Sequence, residues 1–96
     1  MPCCYDGITA RLVENAGFDL TFMTGFGVSA SFGTPDLGLL AGSDMYQAAS
    51  TICGVLHKIP CIGDGDTGYG NPENVKRTVM KYAQAGLSGI MIEVRY

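Results

Sequence analysis

Apolar positions along this chain switch between helical spacing and short unbroken runs, with glycine, proline and polar residues marking each change. Ile8, Leu12 and Val13 share one face of a helix over residues 7–16, behind Asp6 as N-cap, and Gly17 stands where that helix would stop. Phe18 to Thr24 reads as a strand. Residues 25–42 are rich in Gly and Ser and hold Pro35-Asp36, so they read as a long loop with room for one short helix. Loops of that length inside a domain are usually functional. Ser43 then caps a helix to about Lys58, with Met45, Ala48, Ala49, Ile52 and Leu56 as its apolar stripe. Residues 59–63 make the next strand. Asn71-Pro72-Glu73 joins a cap, a proline at the first helical position and an early acid. Val75, Val79, Tyr82 and Ala83 are expected to face the core, and Gly86 ends this helix. Residues 89–93 form a last strand, and Met1 to Tyr5 a short first one.

The resulting order, β-α-β-α-β-α-β, points to a parallel sheet with covering helices. It fits both a segment of a (β/α)8 barrel and a small doubly wound sheet. Polar chemistry gathers after each strand, at Asp6, Thr24-Gly25, Asp64-Asp66 and Glu93. Both architectures bind ligands at that edge, so position alone does not separate them.

Composition narrows the function. Six basic against nine acidic residues give a net charge of −3, with no basic cluster, which argues against nucleic acid. No apolar run approaches the length of a membrane span, and the N-terminus does not read as a signal peptide. The four cysteines lack C-x-x-C spacing, so zinc is not expected. They read as reduced thiols of an intracellular protein, cytoplasmic or organellar, with Cys53 and Cys61 in the core.

The richest segment is Gly63-Asp64-Gly65-Asp66-Thr67-Gly68-Tyr69-Gly70, after the apolar run Ile59-Pro60-Cys61-Ile62. Two carboxylates one residue apart can converge where a strand ends and the chain turns. Oxygen anions among glycines suit a hard divalent cation, and Mg2+ takes one or two carboxylates plus waters and substrate oxygens. Gly63-x-Gly65-x-x-Gly68 also matches a dinucleotide fingerprint, as does Gly25-x-Gly27-x-x-Ala30. In the first, Asp64 and Asp66 would repel a pyrophosphate and the helix begins late, near Pro72. In the second, Pro35-Asp36 soon interrupts any helix. An EF-hand fails because the downstream ligands are missing.

These strings together resemble the isocitrate lyase and phosphoenolpyruvate phosphonomutase superfamily. The resemblance rests on Cys4-Tyr5-Asp6, Ala16-Gly17-Phe18, Thr24-Gly25-Phe26-Gly27-Val28-Ser29-Ala30, Pro35-Asp36-Leu37-Gly38-Leu39, Asp64 through Asn71, Asn74-Val75 and Ile92-Glu93. The most similar branch is the carboxyvinyl-carboxyphosphonate phosphorylmutase-like and methylisocitrate lyase-like one. The resemblance implies an α/β fold, a partial (β/α)8 TIM barrel with about the first four β/α units. It implies Mg2+ or Mn2+ held by Asp64, Asp66 and Glu93, with Asp66 acting directly or through water. Asp36 and Glu93 would be the catalytic acids, and Thr24, Gly25 and Phe26 would bind the substrate carboxylate. The shared chemistry makes or breaks a C–C or P–C bond beside a 2-oxo acid, through an enolpyruvate-like intermediate. Substrates would be small 2-oxo or branched dicarboxylic acids, including oxaloacetate in a hydrolase variant, and members are homo-oligomers, dimers or tetramers.

The family pattern continues beyond Glu93 with Asp-Gln and then a loop carrying Lys-x-Cys-Gly-His, whereas this sequence reads Val94-Arg95-Tyr96. None of its four cysteines therefore inherits the catalytic cysteine of lyase members. Residues 1–96 correspond to the N-terminal half of such a barrel, and the divergence after Glu93 reads as a truncated product. A catalytically inactive remnant that associates with a longer relative is the alternative to an enzyme.

Overall fold

The computed structural model describes residues 1–33, 42–65 and 72–92. Its elements are β1 (Cys3–Cys4), α1 (Gly7–Asn15), β2 (Thr21–Met23), α2 (Gly25–Ser31), α3 (Gly42–Val55), β3 (Cys61–Asp64), α4 (Pro72–Ala85) and β4 (Gly89–Met91). The four strands form one sheet in the order β1-β2-β3-β4, and every neighbouring pair is parallel. The β/α series expected from the pattern is therefore present. A parallel pair needs a crossover, and α1, the α2–α3 segment and α4 supply them. Because all strands run the same way, Tyr5-Asp6, Thr24-Gly25 and Asp64-Gly65 leave the sheet at a single edge.

Local chemistry sets the helix ends. Asp6 Oδ1 accepts the Thr9 N–H at 2.8 Å while Thr9 Oγ1 accepts the Asp6 N–H at 3.1 Å, a reciprocal box that opens α1. Gly17 and Gly86 both adopt positive φ, +91° and +104°, as the predicted helix stops require. At Gly86 the N–H reaches the Ala83 carbonyl and the Leu87 N–H the Tyr82 carbonyl, which satisfies the last turn of α4. The predicted start of α3 after a Ser43 cap moves to Gly42. The Asn71 cap lies outside the described residues. Strands are shorter than the apolar runs that signalled them, and α2 follows Thr24 at once where a loop was expected to begin.

Helices cover one face of the sheet. Cys4, Thr21, Met23 and Cys61 are buried beneath Ala10, Val28, Met45, Ala49, Ile52 and Tyr82. Residues of the other parity point away from these helices: Phe22 and Ile62 are half-buried and Cys3 is exposed. The cysteines are unpaired, with Cys4 and Cys61 buried and Cys53 half-buried against the core, as the sequence led us to expect for Cys53 and Cys61.

Two predicted helix faces need correction. On α1, Ile8 and Leu12 are 72% and 63% exposed, and Ala10 is the buried residue. Gly7 faces α3, where a Cβ would meet the Thr51 and Val55 methyls at an ordinary 3.7 Å contact. Gly7 and Ala10, three residues apart, share the covered face, and Ile8 and Leu12 lie off it. On α4, Val79 and Ala83 are exposed, and Thr78 with Tyr82, four residues apart, face inward.

Candidate active site

β2 and β3 end side by side, with Met23 paired to Gly63, so Thr24-Gly25 and Asp64 emerge as neighbours. The Asp64 carboxylate bends back across this gap, and its Oδ2 accepts the Gly25 N–H at 3.0 Å. Thirty-nine residues of sequence separate the two groups. Glycine at position 25 gives the carboxylate room, because a Cβ there would lie 2.5 Å from Asp64 Oδ2.

Three further contacts fix the backbone that carries Asp64. The Tyr82 hydroxyl donates to the Asp64 carbonyl at 3.1 Å, bracing β3 from α4. Asp64 pairs in register with Met91, and the next residue, Gly65, donates its N–H to the Met91 carbonyl at 2.8 Å. Tyr82 is 2% exposed and its ring lies against Gly63, where a Cβ would meet it at 3.2 Å. The sequence marked Tyr82 only as a core residue. A buried tyrosine normally finds a partner for its hydroxyl, and that is the signal that could have placed it beside the site.

On the other side of the gap, Thr24 caps α2 with extended backbone, and its carbonyl accepts the Val28 N–H at 3.0 Å. Its hydroxyl reaches the Gly27 N–H at a long 3.5 Å. Phe26 is 66% exposed beside this turn. The structure thus brings Thr24, Gly25, Phe26 and Asp64 together at one sheet edge. Asp36, Asp66 and Glu93 lie outside the described residues. Asp6 sits at the same edge, where its side chain is engaged by the α1 cap.

Among the described residues, no group of three or more His, Cys, Asp or Glu side chains gathers to hold a metal. The donor chemistry of the described part nevertheless fits a hard cation. It offers a carboxylate oriented by a backbone amide, next to glycines that leave space, and the buried thiols of Cys4 and Cys61 lie on the helix-covered face.

A family model for phosphoenolpyruvate phosphomutase matches residues 1–95. The chain belongs to this family. Among curated relatives, a chloroplastic carboxyvinyl-carboxyphosphonate phosphorylmutase of Arabidopsis thaliana is 43% identical over 94 residues, covering 97% of this chain and 28% of the relative. A 2,3-dimethylmalate lyase of Eubacterium barkeri is 44% identical over 93 residues, covering 96% and 32%. Among solved structures, oxaloacetate acetylhydrolase in complex with the product oxalate superposes with a TM-score of 0.94 at 40% identity, over 99% of this chain and 34% of that one. Phosphonopyruvate hydrolase, in a complex with oxalate and Mg2+, superposes with a TM-score of 0.92 at 36% identity, over 98% and 33%. The chain spans about a third of the length of these proteins. The superfamily resemblance, the partial-barrel fold class and the mutase, lyase and oxaloacetate-hydrolase chemistry read from the sequence agree with these relatives. No helix among the described residues is long and apolar enough to cross a membrane.

Proposed function

We propose that residues 1–96 form the N-terminal half of a (β/α)8 barrel enzyme, dependent on Mg2+ or Mn2+, that makes or breaks a C–C or P–C bond beside a 2-oxo acid. The observation that carries this reading is the Asp64 carboxylate fixed by the Gly25 amide where β2 and β3 end, in a chain whose relatives are phosphonomutases, lyases and 2-oxo acid hydrolases. Asp64 holds the cation together with Asp66 and Glu93. Asp36 and Glu93 are the acids that serve the reaction. The turn of Thr24, Gly25 and Phe26, beside Asp64, binds the substrate carboxylate through its backbone amides. When bound, the cation supplies Lewis-acid stabilisation of the negative charge that develops on a pyruvyl oxygen. The carboxylates keep that cation at one mouth, beside the turn that carries the exposed Phe26 ring.

The substrate class is a small 2-oxo or branched dicarboxylic acid, with oxaloacetate hydrolysis as the alternative reaction. An intracellular location and a homo-oligomer, dimer or tetramer, belong to the same reading. It is tested by incubating the purified chain with Mg2+ and 2-methylisocitrate, oxaloacetate or phosphonopyruvate. Turnover of one of these acids, abolished by Asp64→Ala, supports the enzyme reading. No turnover of any of them assigns the chain instead to the inactive, partner-associating reading.

A further inference from the structure

We infer that Gly25 is a positioning residue for Asp64, its amide setting the direction of the carboxylate and its missing side chain leaving the space that the carboxylate fills. The inference rests on the proposed role of Asp64 as a cation ligand, and it extends that role to a residue with no cation-binding atom of its own.

Glycine is not needed at position 25 for backbone conformation. Among the described residues the glycines with positive φ are Gly17, Gly33 and Gly86, whereas Gly25 opens the helix α2. The first position of a helix accepts most residue types. What forbids a side chain is the carboxylate: a Cβ would lie 2.5 Å from Asp64 Oδ2, 3.2 Å from its Cγ and 3.8 Å from its Cβ. Any larger residue must push the carboxylate off the amide. Gly27 makes a useful contrast on the same short helix. A Cβ there would meet Thr24 Cγ2 at 2.7 Å and Tyr5 Cβ at 2.9 Å, crowding the turn without touching Asp64.

The backbone of Asp64 is already held by Tyr82 and by register with β4. The Gly25 N–H acts on what that framework leaves adjustable, the side-chain torsions. A hydrogen bond to an ionised acceptor is short and strong, so it narrows the carboxylate to one direction before a cation arrives. Removing a group that orients a metal ligand typically costs about 10–100-fold in metal affinity.

The test measures Mn2+ binding by the free-ion electron paramagnetic resonance signal, on the wild-type chain, Gly25→Ala and Gly54→Ala, a position in α3 where a Cβ meets nothing within 4 Å, with circular dichroism on each. We expect Gly25→Ala to bind Mn2+ about tenfold or more weakly than wild type while Gly54→Ala stays within about threefold. Equal losses in the two variants, or none in Gly25→Ala, overturn the inference. A second measurement leaves position 25 intact and does not depend on the Ala variants folding. In 15N–1H spectra, Asp64→Asn should move the Gly25 amide proton upfield, and by more than the Gly27 and Val28 amides. An unmoved Gly25 resonance also overturns the inference. Failure of the wild-type chain to bind Mn2+ sinks the cation reading itself, while the amide shift still decides whether Gly25 sets the direction of Asp64.

Discussion

Both edges of the sheet use a carboxylate to tie distant backbone together, and the two do so differently. Where strands begin, Glu14 at the end of α1 turns Oε2 to the backbone N–H groups of His57, Lys58 and Ile59, at 2.9, 2.7 and 3.3 Å. Where strands end, Asp64 Oδ2 takes the Gly25 N–H at 3.0 Å. A single Glu14 oxygen collecting three consecutive amides is a clasp: it fixes the link from α3 into β3 and is directed wholly at backbone. Asp64 sits at a mouth bordered by glycines, a threonine cap and an exposed ring. The same hydrogen-bond chemistry closes a connection at one edge and orients a side chain for a ligand at the other.

Substitutions at the two edges should therefore separate stability from binding. The largest expected effect is on binding. Asp64→Asn should weaken Mn2+ affinity by at least about a hundredfold, more than loss of a residue that merely orients a ligand. Comparable affinity in the variant, measured by calorimetry, would erase the distinction between the edges. Next comes Tyr82→Phe, which leaves the Asp64 carbonyl without the hydroxyl that reaches it from α4. A cost of about 1 kcal/mol is expected in urea unfolding, with a smaller loss of cation affinity. Asp6→Ala should also cost about 1 kcal/mol, through the α1 cap, with Mn2+ binding unchanged, which would show that an acid at the mouth can be purely structural.

Glu14→Gln sharpens the contrast through pH. The Lys58 N–H, with those of His57 and Ile59, holds the Glu14 carboxyl below its ordinary value, against the opposing effect of desolvation. A carboxyl lowered on folding stabilises the protein above its unfolded value, and this contribution disappears as pH falls through the folded value. The Tm gap between wild type and Glu14→Gln should thus be widest at neutral pH and close in strong acid, while cation affinity at neutral pH stays the same. A gap that persists in acid would show that the clasp does not depend on charge. The smallest effect is expected for Leu12→Lys, within about 0.5 kcal/mol, because Leu12 faces outward.

The contrast also shows what the sequence could disclose. Asp6, Gly17 and Gly86 announce their roles locally, because a cap or a positive φ depends on a few adjacent residues. The parallel strands and their shared edge followed from the alternation of runs and helical stripes, while the order β1-β2-β3-β4 came from the structure. The string from Gly63 to Gly70 pointed to Asp64, and the structure sets its carboxylate where β2 and β3 end. What could not be read were groups joined through space: Gly25 to Asp64, Tyr82 to the Asp64 carbonyl, Glu14 to residues 57–59. Each joins segments brought together only by the fold, and no local period encodes them. The outward turn of Ile8 and Leu12 belongs here as well. A helical stripe predicts which residues share a face, but which face meets α3 is set by the fold, here the side of Gly7 and Ala10. Asp36, Asp66 and Glu93 remain expectations carried by the resemblance, outside the described residues.

The account stands most directly on whether the carboxylates at this mouth bind a divalent cation that in turn recruits a small diacid. Calorimetric titration of oxalate into the wild-type chain, with and without Mg2+, tests both steps at once. The expected result is saturable oxalate binding that requires Mg2+ and is lost in Asp64→Asn. Oxalate binding of equal strength without Mg2+, or unaffected by Asp64→Asn, would contradict it.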